Sequence, residues 1–165
     1  MSERKLITTG KVVGIFMCPT AKSERMTEVS EAEAIAGHGL KYGDTWDRYA
    51  VGQGSYNKKT GIGHRQVSLM NARFFKGTDF TFADSYRNII TDGVELLWLI
   101  GQEFQIGNAL FRGVKYLDPC ATPSKRSGKA GFKETFFDCG AIIAEVLKSG
   151  AFRNMDDVFH DSKGY

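Results

Sequence analysis

The chain has 165 residues, a formal net charge of +3, and ordinary fractions of hydrophobic (42%) and charged (25%) residues. This length predicts a single domain, over residues 1–165, with a sizeable core. The mild charge argues against a nucleic-acid partner, and no apolar stretch reaches the roughly 20 residues that a membrane helix needs. The three cysteines form no pairing pattern and no signal peptide precedes them, so we predict free thiols in a cytoplasmic protein.

The first part of the chain predicts strands separated by glycine-rich turns. Residues 6–17 are largely apolar and predict one or two strands that end at Cys18 and Pro19. Residues 26–29 predict a short strand. Three stretches with other compositions predict non-strand structure: a helical turn over 31–36 with Ser30 as its cap, a turn over 37–44, and a flexible loop over 52–61.

The middle of the chain contains the longest run of glycine-bounded apolar segments. Residues 64–69 predict a strand, and a helical turn over 71–75 follows it. Asp92 can cap a helix over 93–100, and because that helix is apolar all round we predict that most of it is buried. Two further strands are predicted over 103–106 and 109–117, joined by the two-residue hairpin turn Gly107-Asn108.

The last part of the chain is harder to assign. Residues 121–131 predict a loop that carries Pro123 and a basic cluster. Residues 140–149 fit two patterns, because Ile142, Ile143 and Val146 fall at helical spacing whereas alternate residues of the same stretch are also apolar. The residues alone lean towards a helix here.

Cys120 is the first candidate for chemistry, because the preceding Pro119 fixes the chain where a strand ends. A thiolate is a soft metal ligand and a good sulfur carrier, and the basic residues that follow favour that form. The alternative is a buried structural cysteine. Arg87 is the second candidate, since a guanidinium binds phosphate with two parallel hydrogen bonds. Its alternative role is a surface ion pair with Asp84 or Asp92.

Several motifs in this order resemble the MOSC domain, which occurs at the C-terminus of molybdenum-cofactor sulfurases, in amidoxime-reducing enzymes and as small bacterial proteins. The resemblance covers about residues 10–158. The motifs are R-Q-V-S-L at 65–69, R-N-I at 87–89, G-x-x-L at 93–96, G-x-x-F-x-I-G at 101–107 and P-C at 119–120.

The resemblance implies a mainly β fold, a MOSC-type β-barrel with a few short helices, and a strand over 140–149. It implies that Cys120 ligates molybdenum or carries sulfur. It also implies that a phosphate-bearing molybdopterin is held by six residues: Arg87, Asn88, Arg65, Ser68, Lys125 and Arg126. Lys129 lies in the same basic loop, which could instead be mobile and bind nothing.

The implied function is molybdenum-cofactor binding, sulfur carriage, or both, with reduction of N-hydroxylated compounds as the reaction. Such a reaction needs a partner that donates electrons, since the chain has no flavin, haem or iron–sulfur motif. A sulfur-donor protein is the partner if the chain only carries sulfur. No pyridoxal phosphate is expected here. The alternative is a small, non-catalytic β-barrel that binds an anionic, phosphate-bearing ligand.

Overall fold

The computed structural model describes residues 6–19, 26–50, 63 and 65–162. Strands dominate these residues, and their two α-helices are short. The helices are α1 (Thr122–Ser127) and α2 (Phe132–Thr135), with 3-10 helices at Ala72–Phe75, Ala83–Ser85 and Leu96–Leu99. The strands are β1 (Leu6–Met17), β2 (Thr27–Glu28), β3 (Glu31–Ile35), β4 (Gly39–Tyr42), β5 (Thr45–Trp46), β6 (Val67–Asn71), β7 (Ile89–Asp92), β8 (Glu103–Ile106), β9 (Ala109–Leu117), β10 (Ala141–Lys148), β11 (Gly150–Arg153) and β12 (Asp157–Ser162).

Seven of these strands close into a barrel, which confirms the predicted fold class. Their order is β12-β8-β9-β10-β6-β7-β1, and β1 pairs back onto β12 to complete the ring. Neighbouring strands are antiparallel except β6 and β7, which run parallel with Leu69 opposite Ile89. Because β6 and β7 are parallel, both begin at the same end of the barrel. The last residues of β1 reach that end too, since Ile15 lies opposite Ile89.

A second, four-stranded sheet has the order β11-β3-β4-β5. Its strand β3 corrects the helical turn predicted over 31–36. Glutamate and alanine favour helices, but here Ala32 and Ala34 are buried on one face while their neighbours pair with β11 and β4. Tertiary pairing therefore overrides local propensity. The predicted turn over 37–44 likewise contains β4.

Two apolar clusters lie on opposite faces of the β6–β10 part of the barrel wall. One contains aliphatic and phenylalanine side chains from most barrel strands, including Leu69 and Ile142. The other contains Met70 and Ala141 together with aromatic residues from the helical segments, among them Phe132. Strands β6 and β10 are consequently buried on both faces, which explains why 140–149 lacks a clear alternation.

The predicted helix over 93–100 is only partly formed. A 3-10 helix spans Leu96–Leu99, Asp92 belongs to β7 and does not cap it, and the prediction of general burial is wrong. Leu96 and Leu99 face the core, whereas Leu97 is 48% exposed and Trp98 is 61% exposed. A short 3-10 turn repeats every three residues, so it buries only one edge of an apolar run.

Most other element predictions are confirmed. The strands over 6–17, 103–106, 109–117 and 140–149 are present, as is the helical turn that follows β6. The strand predicted from 64 begins at Val67, and His64 and the loop over 52–61 lie outside the described residues. The predicted loop over 121–131 instead contains α1. No helix in the described part of the chain is long and apolar enough to cross a membrane.

Candidate functional site

A buried aspartate, Asp47, holds together the end of β1 and the turn after β5. Its side chain is completely buried, at 0% exposure. One carboxylate oxygen accepts the Cys18 N–H at 2.8 Å, and the other accepts the Tyr49 N–H at 3.0 Å. Burial raises the pKa of Asp47, while these N–H groups and the charge of Arg48 oppose the shift. The network fixes the chain where β1 leaves the barrel.

Asn88 extends this network to β6 and β7. Its side-chain oxygen accepts hydrogen bonds from the Ser68 N–H at 3.1 Å and the Ser68 hydroxyl at 3.2 Å. Its amide nitrogen donates to the Phe16 carbonyl at 3.1 Å and also hydrogen-bonds the Asp47 carboxylate. Asn88 and Ser68 therefore link the ends of three strands, and their hydrogen-bonding capacity is largely used within the protein.

Arg87 lies beside this network and is buried, and its side chain has no hydrogen-bond partner among the described residues. It is 5% exposed, and no described residue accepts a hydrogen bond from its Nε atom, which is itself fully buried. Its backbone N–H donates to the Ser85 hydroxyl at 3.3 Å. A buried guanidinium without a carboxylate is costly, so this position is suited to an external anion. Neither Asp84 nor Asp92 pairs with it, which removes the ion-pair alternative.

Two arginines flank the ring of Tyr86, the residue before Arg87. The Arg126 guanidinium lies 5.0 Å from the ring centroid and that of Arg48 lies 5.8 Å from it. Arg48 also lies 4.8 Å from the Tyr49 ring. Tyr86 has a φ angle of 57°, in the left-handed region that a bulky side chain rarely adopts. Such a conformation is often retained near functional sites.

The titratable groups around Tyr86 influence one another. Burial disfavours the charged form of Arg48, but the nearby Tyr49, Cys18 and Asp47 side chains favour it, so the pKa of the guanidinium lies above its ordinary value. Burial raises the pKa of the Tyr86 phenol, and the guanidinium of Arg126 opposes that shift. At neutral pH the Arg48 guanidinium is therefore charged and the Tyr86 phenol is neutral.

A cleft of about 450 Å³ opens next to Tyr86, between α1, the end of β1 and the 3-10 helix Ala83–Ser85. Across it, the Lys129 ammonium contacts the Asp84 carboxylate at 2.7 Å and the Asp79 carbonyl at 2.7 Å. Burial raises the pKa of Asp84, but Lys129 and the N–H of Thr81 outweigh this and the net pKa is lowered. The cleft is lined by Phe16, Met26, Glu28, Thr81, Ala83, Asp84, Tyr86, Arg126, Ser127 and Lys129.

Cys120 is exposed, between the buried Pro119 and the start of α1. Cys18 is buried and Cys139 is partly buried. No hydrogen bond or ion pair joins Cys120 to any described residue, and the described side chains form no cluster of three or more metal-ligating groups. The nearby Lys125 is also exposed. The described contacts do not connect Cys120 to the network around Arg87.

The structure thus brings together some of the predicted residues. Arg87, Asn88 and Ser68 are adjacent, and Arg65 is half-buried just before β6, at the same end of the barrel. Arg126 reaches Tyr86, whereas the Lys125 side chain makes no hydrogen bond or ion pair with a described residue.

Sequence reasoning missed three residues of this site: Asp47, Arg48 and Tyr86. A signal for two of them was present, since the charged pair Asp47-Arg48 stands between Trp46 and Tyr49 directly after a two-residue strand. Charges enclosed by aromatic residues are unusual in an exposed loop.

Comparison with known proteins supports the fold. No model of a protein family matches the chain, and no curated protein matches it. Among solved structures, the YUAD protein from Bacillus subtilis matches with a TM-score of 0.73 and 15% identity, over 96% of this chain and 99% of that one. YiiM from Geobacillus stearothermophilus matches with a TM-score of 0.58 and 12% identity, over 94% of this chain and 74% of that one.

YiiM from Escherichia coli matches with a TM-score of 0.55 and 16% identity, over 94% of this chain and 71% of that one. YiiM is a MOSC-domain protein. The fold of this chain is MOSC-like. At these identities the comparison bears on the fold, and function has to be argued from the site.

Proposed function

We propose that this MOSC-like domain binds the molybdenum cofactor and holds its phosphate at Arg87. The observation that carries the proposal is the buried guanidinium of Arg87, whose Nε atom has no acceptor among the described residues. A phosphate offers several acceptor oxygens in the geometry that a guanidinium fork matches. The buried, unpaired Nε therefore fits a phosphate-bearing ligand.

Asn88 and Ser68 have a different role in this proposal. Their side chains already bond each other and the Phe16 carbonyl. They would therefore position Arg87 by holding the first residues of β6 and β7 in register, and would not themselves bind the ligand. The half-buried Arg65 provides a second cation at this end of the barrel.

Cys120 is the thiol that such a site would use. It is the most accessible of the three cysteines, as a thiol that ligates a metal or accepts sulfur must be. When bound, the cofactor would supply a redox-active metal, and electrons for reducing an N-hydroxylated substrate would come from a partner protein. Cys120 would ligate the metal or carry sulfur as a persulfide.

The test is cofactor content after purification from a host that makes molybdopterin. We expect molybdenum and the oxidised, fluorescent pterin to co-purify with the parent and to be lost from Arg87→Ala. Arg87→Lys keeps the charge without the fork and should retain part of the pterin. Arg153→Ala, which alters an exposed arginine of β11, is the matched control. Thermal melting establishes that each variant is folded.

Two results would overturn the proposal: a parent without pterin, or equal pterin in the Arg87 and Arg153 variants. The exposure of Cys120 also favours a second candidate, a sulfur carrier that needs no metal. A persulfide on Cys120, seen as a sulfur adduct by intact mass in metal-free protein, would support that candidate. Binding of inorganic phosphate without metal or persulfide would favour the non-catalytic barrel.

A further inference from the structure

We propose that the cleft beside Tyr86 is a separate binding site for a small aromatic carboxylate. This inference rests on residues other than Arg87 and holds whether or not the chain binds a molybdenum cofactor. The cleft volume of about 450 Å³ lies within the range of small-molecule sites and accommodates one or two rings.

The walls of the cleft favour an aromatic ring. Phe16, Met26 and Tyr86 contribute two aromatic rings and a thioether to its lining. All three side chains are largely buried, so the surface that they present is part of the core packing and is held in place. Aromatic and thioether surfaces pack well against a flat ring.

The charges of the cleft favour an anion. Lys129 and Asp84 neutralise each other through their 2.7 Å contact, and the lowered pKa of Asp84 keeps its carboxyl ionised at neutral pH. Among the described residues of the lining, the other two that carry a charge are Arg126 and Glu28. The Arg126 guanidinium is held over the Tyr86 ring, at the wall of the cleft.

The carboxylate of Glu28 is less constrained than the guanidinium of Arg126. It is exposed on β2 and forms no ion pair with any described residue, so water screens its charge. A ligand that places its ring against Phe16 and its carboxylate against Arg126 would gain a charge-assisted hydrogen bond. Glu28 would weaken the binding of that ligand modestly by repulsion.

The experiment is a titration of the full chain with benzoate, in which NMR chemical shifts report binding. We expect saturable binding, loss of about tenfold or more in affinity in Arg126→Ala, as for a hydrogen bond to a charged group, and slightly tighter binding in Glu28→Gln. Lys125→Ala is the matched control, because Lys125 is the preceding residue of α1, is exposed, and its side chain makes no hydrogen bond or ion pair with a described residue. The Lys125→Ala variant should bind benzoate like the parent.

Three further compounds separate the contributions of ring and charge. Benzamide keeps the ring without the charge, acetate keeps the charge without the ring, and benzamidine reverses the charge. All three should bind more weakly than benzoate. If acetate binds as tightly as benzoate, the cleft is a simple anion site. If benzamidine binds more tightly than benzoate, Glu28 is the residue that recognises the ligand. Either result overturns the proposal, as does an Arg126 variant that is folded and binds like the parent.

Discussion

Replacing Asp47 with alanine should destabilise the protein more than most single substitutions. The change leaves two buried N–H groups without acceptors, those of Cys18 and Tyr49. Each unpaired buried donor costs about 1–3 kcal/mol. Burial raises the pKa of Asp47, so losing the carboxylate also removes a desolvation cost, and we expect a net loss of roughly 2–4 kcal/mol. Urea unfolding at neutral pH, monitored by tryptophan fluorescence, measures this loss in the free energy of unfolding.

Asp44→Ala is the matched control, because Asp44 lies in the turn just before β5, is exposed, and makes no hydrogen bond in the described structure. Its effect should stay within about 0.5 kcal/mol. Asp47→Asn should also destabilise, since its amide nitrogen would face one of the two N–H donors. A loss below about 1 kcal/mol in Asp47→Ala, with an unchanged urea dependence, would refute the assigned role of the carboxylate.

Three further predictions follow from burial and charge. Leu96→Ala should cost about 2–5 kcal/mol and Leu97→Ala well under half of that, because Leu96 is 2% exposed and Leu97 48% exposed; urea unfolding checks both, and equal losses would contradict the packing. Iodoacetamide should modify Cys120 at neutral pH, whereas Cys18 should react only after unfolding, and peptide mass mapping would show which thiol is modified. Reaction of Cys18 in the folded protein before Cys120 would contradict this difference in exposure. Asp84 has a lowered pKa, so its stabilising ion pair is present above about pH 4 and is lost as the pH falls through the folded value. Replacing Lys129, which supplies the ammonium partner, should raise the pKa of Asp84 in a carboxyl NMR titration. An unchanged pKa of Asp84 would rule out the pairing.

The elements that sequence reasoning found are those with strong local signals. Strands β8 and β9 alternate buried and exposed side chains on either side of a Gly-Asn turn, so a window of a few residues contains the information. Strand β3 was mistaken for a helix because its buried residues are alanines, which give almost no alternation in hydrophobicity. Only pairing with β11, more than a hundred residues away, determines its conformation.

The candidate site also combines residues with a local sequence signal and residues that only long-range packing brings together. Arg87 could be found from its motif, but its burial and the absence of an acceptor depend on the packing of the whole barrel end. The hydrogen bonds between Asp47, Asn88 and Ser68 join residues about 20 to 40 positions apart, and no periodicity relates them. Helix α1 had readable signals, since Pro123 lies in its first turn and Gly128 follows its last residue in the left-handed conformation.

The strand pair that closes the barrel has a consequence for how the protein folds. Leu6 lies opposite Ser162 and Lys11 lies opposite Asp157, so the closing pair joins the two ends of the described chain. Ring closure therefore has to wait for the last strand to emerge from the ribosome, and contacts of such long range slow folding. Until then β1 and β8 each lack their β12 neighbour, and unpaired edges of this kind recruit other chains. Chaperone demand and aggregation during synthesis should therefore depend more on how fast β12 docks than on the final stability of the barrel.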